Sequence, residues 1–143
     1  MIAVDTNILA RFYCDDPNDA EAAQQRPEVL RLFQNADAIY VTVAVMLEFE
    51  WIMRGFYQRT REDFMLVVRH LLGLPNVTVK DWEAVDDALT LHGKGLDFAD
   101  ALHWSRCRHC EHMISFDDRR FSRKLRRLEL AASVMTPADF LEQ

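Results

Sequence analysis

The chain has 143 residues, half of them hydrophobic, a length that suits one domain able to bury roughly two thirds of its unfolded surface. No apolar stretch approaches the roughly 18 residues of a membrane span, no basic segment leads into an apolar one at the N-terminus, and a net charge of −6 excludes a generally basic nucleic-acid binder. Three cysteines without regular spacing fit free thiols in a reducing compartment, so a soluble, cytoplasmic protein is expected.

The opening Met1-Ile2-Ala3-Val4 is a short apolar run ending in Asp5. A run of this kind predicts a strand buried on both faces. An acid at the carboxyl end of such a strand faces the crevice where open α/β sheets bind ligands. Asp is also a preferred helix N-cap, and Ile8-Leu9-Ala10-Arg11-Phe12 suggests a helix just beyond, so its own neighbourhood gives Asp5 both readings. Turn chemistry at Asp15-Asp16-Pro17-Asn18-Asp19 leads into a helix from Ala20. A proline inside a helix costs about 3 kcal/mol, which predicts a kink or a fresh start near Pro27, with Val29, Leu30, Leu32 and Phe33 facing the core.

Ile39-Tyr40-Val41-Thr42 has the β-branched and aromatic character of a second strand, and Val43 to Phe56 reads as an apolar helix ended at Gly55. At about 100° per residue, Glu48 shares a face with Ala44, Val45 and Ile52, while Glu50 points away and stands four residues before Arg54, the spacing of a solvent-side ion pair. A carboxylate on an apolar face must be paired, hydrogen-bonded, protonated or bound to a cation, which makes Glu48 the functional candidate of the two.

Thr60 to Asp63 opens a packing helix in capping-box style, with Phe64, Val67, Val68, Leu71 and Leu72 as its apolar stripe. Val77-Thr78-Val79 is a third strand, and a helix capped by Asp81 runs to Gly93 and Gly95; no glycine-rich phosphate loop occurs. Asp97 is placed to cap the next helix, which leaves Asp100 inside its first turn, where capping explains it poorly. Met113-Ile114-Ser115-Phe116 is a fourth strand, followed by Asp117 and Asp118 as Asp5 follows the first. The residue nearer the strand, Asp117, is the closer analogue.

Local grounds therefore select Asp5, Glu48, Asp100 and Asp117. Oxygen donors of this kind suit hard cations such as Mg²⁺ or Mn²⁺, and a carboxylate-held divalent ion can activate water and steady an in-line displacement at phosphorus.

These segments resemble the PIN domains, and among them the VapC-type toxins of bacterial toxin–antitoxin pairs. The resemblance rests on Val4-Asp5-Thr6-Asn7-Ile8-Leu9, on Leu47-Glu48-Phe49-Glu50-Trp51-Ile52-Met53-Arg54, on Asp97-Phe98-Ala99-Asp100-Ala101-Leu102 and on Ile114-Ser115-Phe116-Asp117, in that order and spacing. It implies one compact α/β domain over residues 1–143, with a central parallel sheet of four to five strands flanked by helices. It implies metal-dependent endoribonuclease activity with Mg²⁺ or Mn²⁺, a cognate antitoxin as partner and a homodimer. Carried over by position, its acids fall on Asp5, Glu48, Asp100 and Asp117, with Asp97 and Asp118 as alternates beside them and Thr6 or Ser115 as neighbouring hydroxyls.

Six of the 17 basic residues lie between Arg119 and Leu128. On a helix, Phe121, Leu125 and Leu128 form its buried stripe, and Arg119, Arg120, Arg123 and Arg127 are candidates for the RNA backbone, against the plainer reading of a solvated charged face. The cluster His103, Cys107, His109, Cys110 and His112 has zinc-ligand residue types but lacks a second C-x-x-C, so it is read as ordinary helix and turn. The competing functional class is a non-catalytic PIN-like module that binds a protein through the helix bearing Phe49, Trp51, Met53 and Phe56 and uses its acids only as caps.

Overall fold

A computed structural model describes residues 1–116, 121–130 and 134–143, which divide into two compact units, Met1–Trp82 and Glu83–Gln143. In the first unit three parallel strands, β1 (Ile2–Ala3), β2 (Ile39–Val41) and β3 (Val77–Val79), pair in that order, with Ile39 opposite both Ile2 and Val77. Strand β2 has a neighbour on each side, and its Ile39 and Val41 are fully buried. Strand β1 is an outer strand with Ile2 41% exposed, so the burial expected of the opening run holds only for Val4 at its end. An apolar run predicts a strand but not its place in the sheet, and β2 holds the position buried on both faces.

Helix α1 (Thr6–Tyr13) follows β1, and α2 (Ala20–Asn35) starts on Asp19, whose Oδ1 accepts from the backbone of Glu21 at 3.0 Å and Ala22 at 3.1 Å. Of the kink or fresh start expected near Pro27, the fresh start does not occur: the single helix Ala20–Asn35 contains Pro27. Ala22 and Val29 are buried on either side of it, and buried Phe33 stacks on Phe12 at 4.0 Å. Burying side chains of the Val and Phe type is worth about 1.5–3 kcal/mol each, enough to offset the roughly 3 kcal/mol that an interior proline costs.

The Thr42 hydroxyl accepts from the Val45 backbone at 3.2 Å and starts α3 (Val43–Trp51). The helical path continues as a wider π turn over Ile52–Phe56, closed by the Tyr57 amide on the Ile52 carbonyl at 3.0 Å. The sequence thus marked the full span of this helix but not its change of pitch. Helix α4 (Arg61–Gly73) has the expected capping box between Thr60 and Asp63 and buries Phe64, Val68 and Leu71, and the Phe64 ring lies 6.2 Å from that of Phe49. Thr60 and Asp63 satisfy backbone donors that would otherwise be orphaned at the helix start.

The second unit contains α5 (Trp82–Gly93, its first residue in the first unit), α6 (Phe98–Arg106), α7 (Arg123–Arg127) and α8 (Pro137–Leu141), with parallel strands β4 (Met113–Ile114) and β5 (Val134–Met135). After α5, Gly95 takes a φ of 106°, a left-handed value that glycine adopts without steric cost, and the His92 ring bonds the Leu96 carbonyl at 2.7 Å. This turn leads the chain into Asp97. Among the described residues the strands therefore form sheets of three and two, rather than the one sheet of four to five expected from the sequence. Local pattern finds a strand more readily than its pairing partner, which is a non-local choice, and β5 is too short for a period to show. Among the described residues, no helix is long and apolar enough to cross a membrane.

Candidate active site

Asp5 stands between β1 and α1, where its capping reading holds. It follows the strand, it is exposed, and it is the N-cap of α1, with Oδ1 accepting from the Thr6 backbone at 2.7 Å. The same Thr6 is buried, and its hydroxyl donates to Oε2 of Glu48 at 2.6 Å. One threonine thus holds two carboxylates, one through its amide and one through its hydroxyl. Each carboxylate has one oxygen engaged by a donor that fixes its orientation, and both side chains reach solvent.

Glu48 is not on the buried face of α3. The buried residues are Val45, Met46, Phe49 and Met53, whereas Ala44, Glu48, Trp51 and Gly55, spaced by four, three and four, form the exposed face. The sequence angle was misread because α3 is apolar on nearly every side, so its pattern has no direction. Glu50, by contrast, makes the ion pair its spacing predicted, 3.9 Å from Arg54, but from a half-buried position. The apolar surplus on this helix divides: Phe49 and Met53 are core, while Trp51 is 74% and Phe56 71% exposed.

In the second unit, Asp97 caps α6 as expected, its Oδ1 accepting from the Asp100 amide at 3.1 Å. Asp100 is half-buried within the first turn, where the helix N-terminus favours a negative charge. Ser115, just past β4, donates its amide to the Met135 carbonyl at 3.0 Å. Asp117, Asp118, Arg119 and Arg120 lie outside the described residues. Downstream, Phe121 and Leu125 are buried and Leu128 half-buried, while Arg123, Arg126 and Arg127 are exposed, which reproduces the two faces expected of this segment. Lys124 of the same helix donates to the Gly95 carbonyl at 3.0 Å.

His103, His109 and Cys110 are exposed, and Cys107 and His112 are half-buried. Among the described residues, no group of three or more His, Cys, Asp or Glu side chains is gathered to hold a metal ion. The chemistry of Asp5 and Glu48 nevertheless fits a hard divalent ion. Both are exposed oxygen donors without a cationic partner among the described residues, and each is oriented by Thr6.

Residues that sequence reasoning passed over include Thr42, which starts the helix bearing Glu48, and the group Arg11, Arg26, Tyr57 and Arg59. Thr42 precedes an apolar run and carries the ordinary N-cap signal. The arginines are scattered in sequence and had no signal.

A family model described as the PIN domain matches residues 2–127. No curated protein matches the chain.

Proposed function

The chain belongs to the PIN domain family, whose members are generally nucleases that bind divalent metal ions, and from that premise we propose that it is a Mg²⁺- or Mn²⁺-dependent endoribonuclease acting as the toxin of a toxin–antitoxin pair. The observation that carries the reading is the double hold of Thr6 on Asp5 and Glu48, two acids at the family-matched positions.

A bound divalent ion supplies activation of the attacking water and neutralisation of charge on the phosphate undergoing displacement. Asp5 and Glu48 contribute oxygen donors. Thr6 reduces their freedom before any ligand arrives, so less ordering remains to be done on binding. Asp100 and Asp117 join the set on the strength of matched sequence positions, with Asp97 assigned to capping. The exposed Arg123 and Arg127 are assigned to the RNA backbone.

Exposed Trp51 and Phe56 support a protein partner, which we take to be the cognate antitoxin, and a homodimer is part of the same reading. They also favour the second reading, a PIN-like module that binds protein without catalysis. Incubating the purified protein with mixed RNA in Mg²⁺ or in EDTA separates the two: cleavage in Mg²⁺ that EDTA stops supports the nuclease, and intact RNA under both conditions supports the module. The toxin role predicts growth arrest on induced production, relieved by Asp5→Asn.

A further inference from the structure

The first unit gathers three arginines where α1, α2 and the segment after α3 meet. Arg11, near the end of α1, donates from Nε to Gln25 Oε1 at 3.0 Å and from Nη1 to the Tyr57 hydroxyl at 3.1 Å. Arg26 donates from Nε to the Arg11 carbonyl at 3.2 Å. Arg59, two residues beyond Tyr57, brings its charge close to the buried thiol of Cys14. Burial pushes that thiol up, and the charges of Arg59, Arg26 and Arg11 oppose the shift, so all three guanidinium groups lie within electrostatic reach of one atom.

The backbone takes an unusual course to build this group. The π turn over Ile52–Phe56, the left-handed Gln58 (φ 51°) and the bond from the Arg59 amide to the Met53 carbonyl at 2.8 Å lead the chain from α3 to Tyr57 and Arg59. A non-glycine residue in this region is strained and persists only where its surroundings hold it.

Although the protein carries 23 acids against 17 Lys and Arg, none of these three arginines forms an ion pair with a described carboxylate. Asp63 lies within electrostatic reach of Arg59, and Asp16 within reach of Tyr57, but neither pairs with a guanidinium of the group; like charges held close repel one another, and an arriving anion relieves the repulsion that remains. Their fork geometry suits phosphate oxygens. Arg11 stands six residues from Asp5 along α1, a rise of about 9 Å. A cavity of about 220 Å³, lined by Asn7, Ile8 and Arg11, leads along this helix. Gln25, Glu28 and Val29 line it from α2.

We propose that Arg11, Arg26 and Arg59 form a phosphate subsite that grips the backbone of single-stranded RNA a few nucleotides from the bond cut beside Asp5 and Glu48. This assignment rests on the ribonuclease reading. The subsite offers charge and forks but no base-reading groups, so it positions the strand without selecting sequence. It also gives an acidic protein a local hold on a polyanion, because three of its cations are concentrated at one place.

The test is binding of a labelled single-stranded RNA oligonucleotide in EDTA, which stops cleavage, measured from low to moderate salt. The proteins are wild type, the double variant Arg26→Gln/Arg59→Gln and the control Arg31→Gln/Arg69→Gln, which removes two exposed arginines from the same unit. Arg11 is left in place because it bonds two elements. With matching melting temperatures, the double variant is expected to bind about tenfold more weakly at low salt and to lose a log–log slope of roughly 0.7 per contact, while the control stays close to wild type. Equal losses in variant and control, or an unchanged affinity and slope, overturn the subsite; the unchanged case reassigns the arginines to a carboxylate-bearing protein. A wild type with no RNA affinity overturns the ribonuclease reading itself.

Discussion

The hydroxyl of Thr6 donates to the carboxylate of Glu48 at 2.6 Å across 42 positions of sequence, while the Thr6 amide donates to Asp5 at 2.7 Å. The bond ties α1 to α3 at the place where both bear an acid. Thr6→Val keeps the shape of the side chain and removes the donor. Because Glu48 is exposed and can turn to water, the loss of stability is expected near 1 kcal/mol. Cleavage should fall well beyond what that implies, and Thr6→Ser should restore much of it. Activity and urea melts on both variants check this, and a Thr6→Val protein of full activity would show that orientation of Glu48 is unimportant.

Asp5 has two duties that substitutions can separate. Asn caps a helix about as well as Asp, whereas Ala costs roughly 1 kcal/mol at such a position. Asp5→Asn should therefore match wild type in melting temperature and Asp5→Ala should melt lower, with both inactive. Comparable melting of the two variants would deny Asp5 its capping role.

The Tyr13 hydroxyl and His70 Nδ1 are hydrogen-bonded at 2.8 Å, and burial pushes the Tyr13 phenol above the ordinary tyrosine range. An acid raised on folding contributes stability that is full below its unfolded value, about 10. That stability declines as pH rises from there through the folded value. Tyr13→Phe is expected to cost about 1 kcal/mol at neutral pH and to flatten the alkaline fall in stability. Tyr57, also raised by burial, leaves a residual slope. Denaturant melts across the alkaline range provide the check, and an identical slope in the variant would count against Tyr13 as the group responsible.

At the start of α4, the Thr60 amide and hydroxyl hold the Asp63 carboxyl below its usual range. A depressed acid contributes stability above its unfolded value, about 3.9, and that contribution disappears as pH falls through the folded value. The difference in melting temperature between wild type and Asp63→Asn should thus be present at neutral pH and close in acid. A constant difference would place the effect elsewhere. Thr60→Ala, which removes the other half of the capping box, should cost about 1 kcal/mol.

What the sequence revealed, and what it hid, follows from how far apart the interacting residues lie. Signals contained within one turn were legible: the caps at Asp19, Thr60 and Asp97, and the Glu50–Arg54 pair. Local context singles out Asp5 and Glu48 from their neighbours, but the face of α3 that bears Glu48 is exposed, not the buried apolar one its angle suggests. Its bond to Thr6 spans the fold and has no local sign. The continuity of α2 past Pro27 depends on partners such as Phe12, distant in sequence. The arginine group was invisible for the same reason, since Arg11, Arg26 and Arg59 meet only once α1, α2 and the turn after α3 are folded.

The central claim, that Asp5 and Glu48 serve metal-dependent RNA cleavage, is tested most directly by titrating Mg²⁺ into wild type, Asp5→Asn and Glu48→Gln with a single-stranded RNA substrate, all three first matched in melting temperature. The account predicts cleavage that is absent in EDTA and rises with Mg²⁺ for wild type, and falls by at least about a hundredfold, roughly 2.7 kcal/mol of barrier, in each variant. Cleavage that persists in EDTA, or that either variant performs at the wild-type rate, would contradict it.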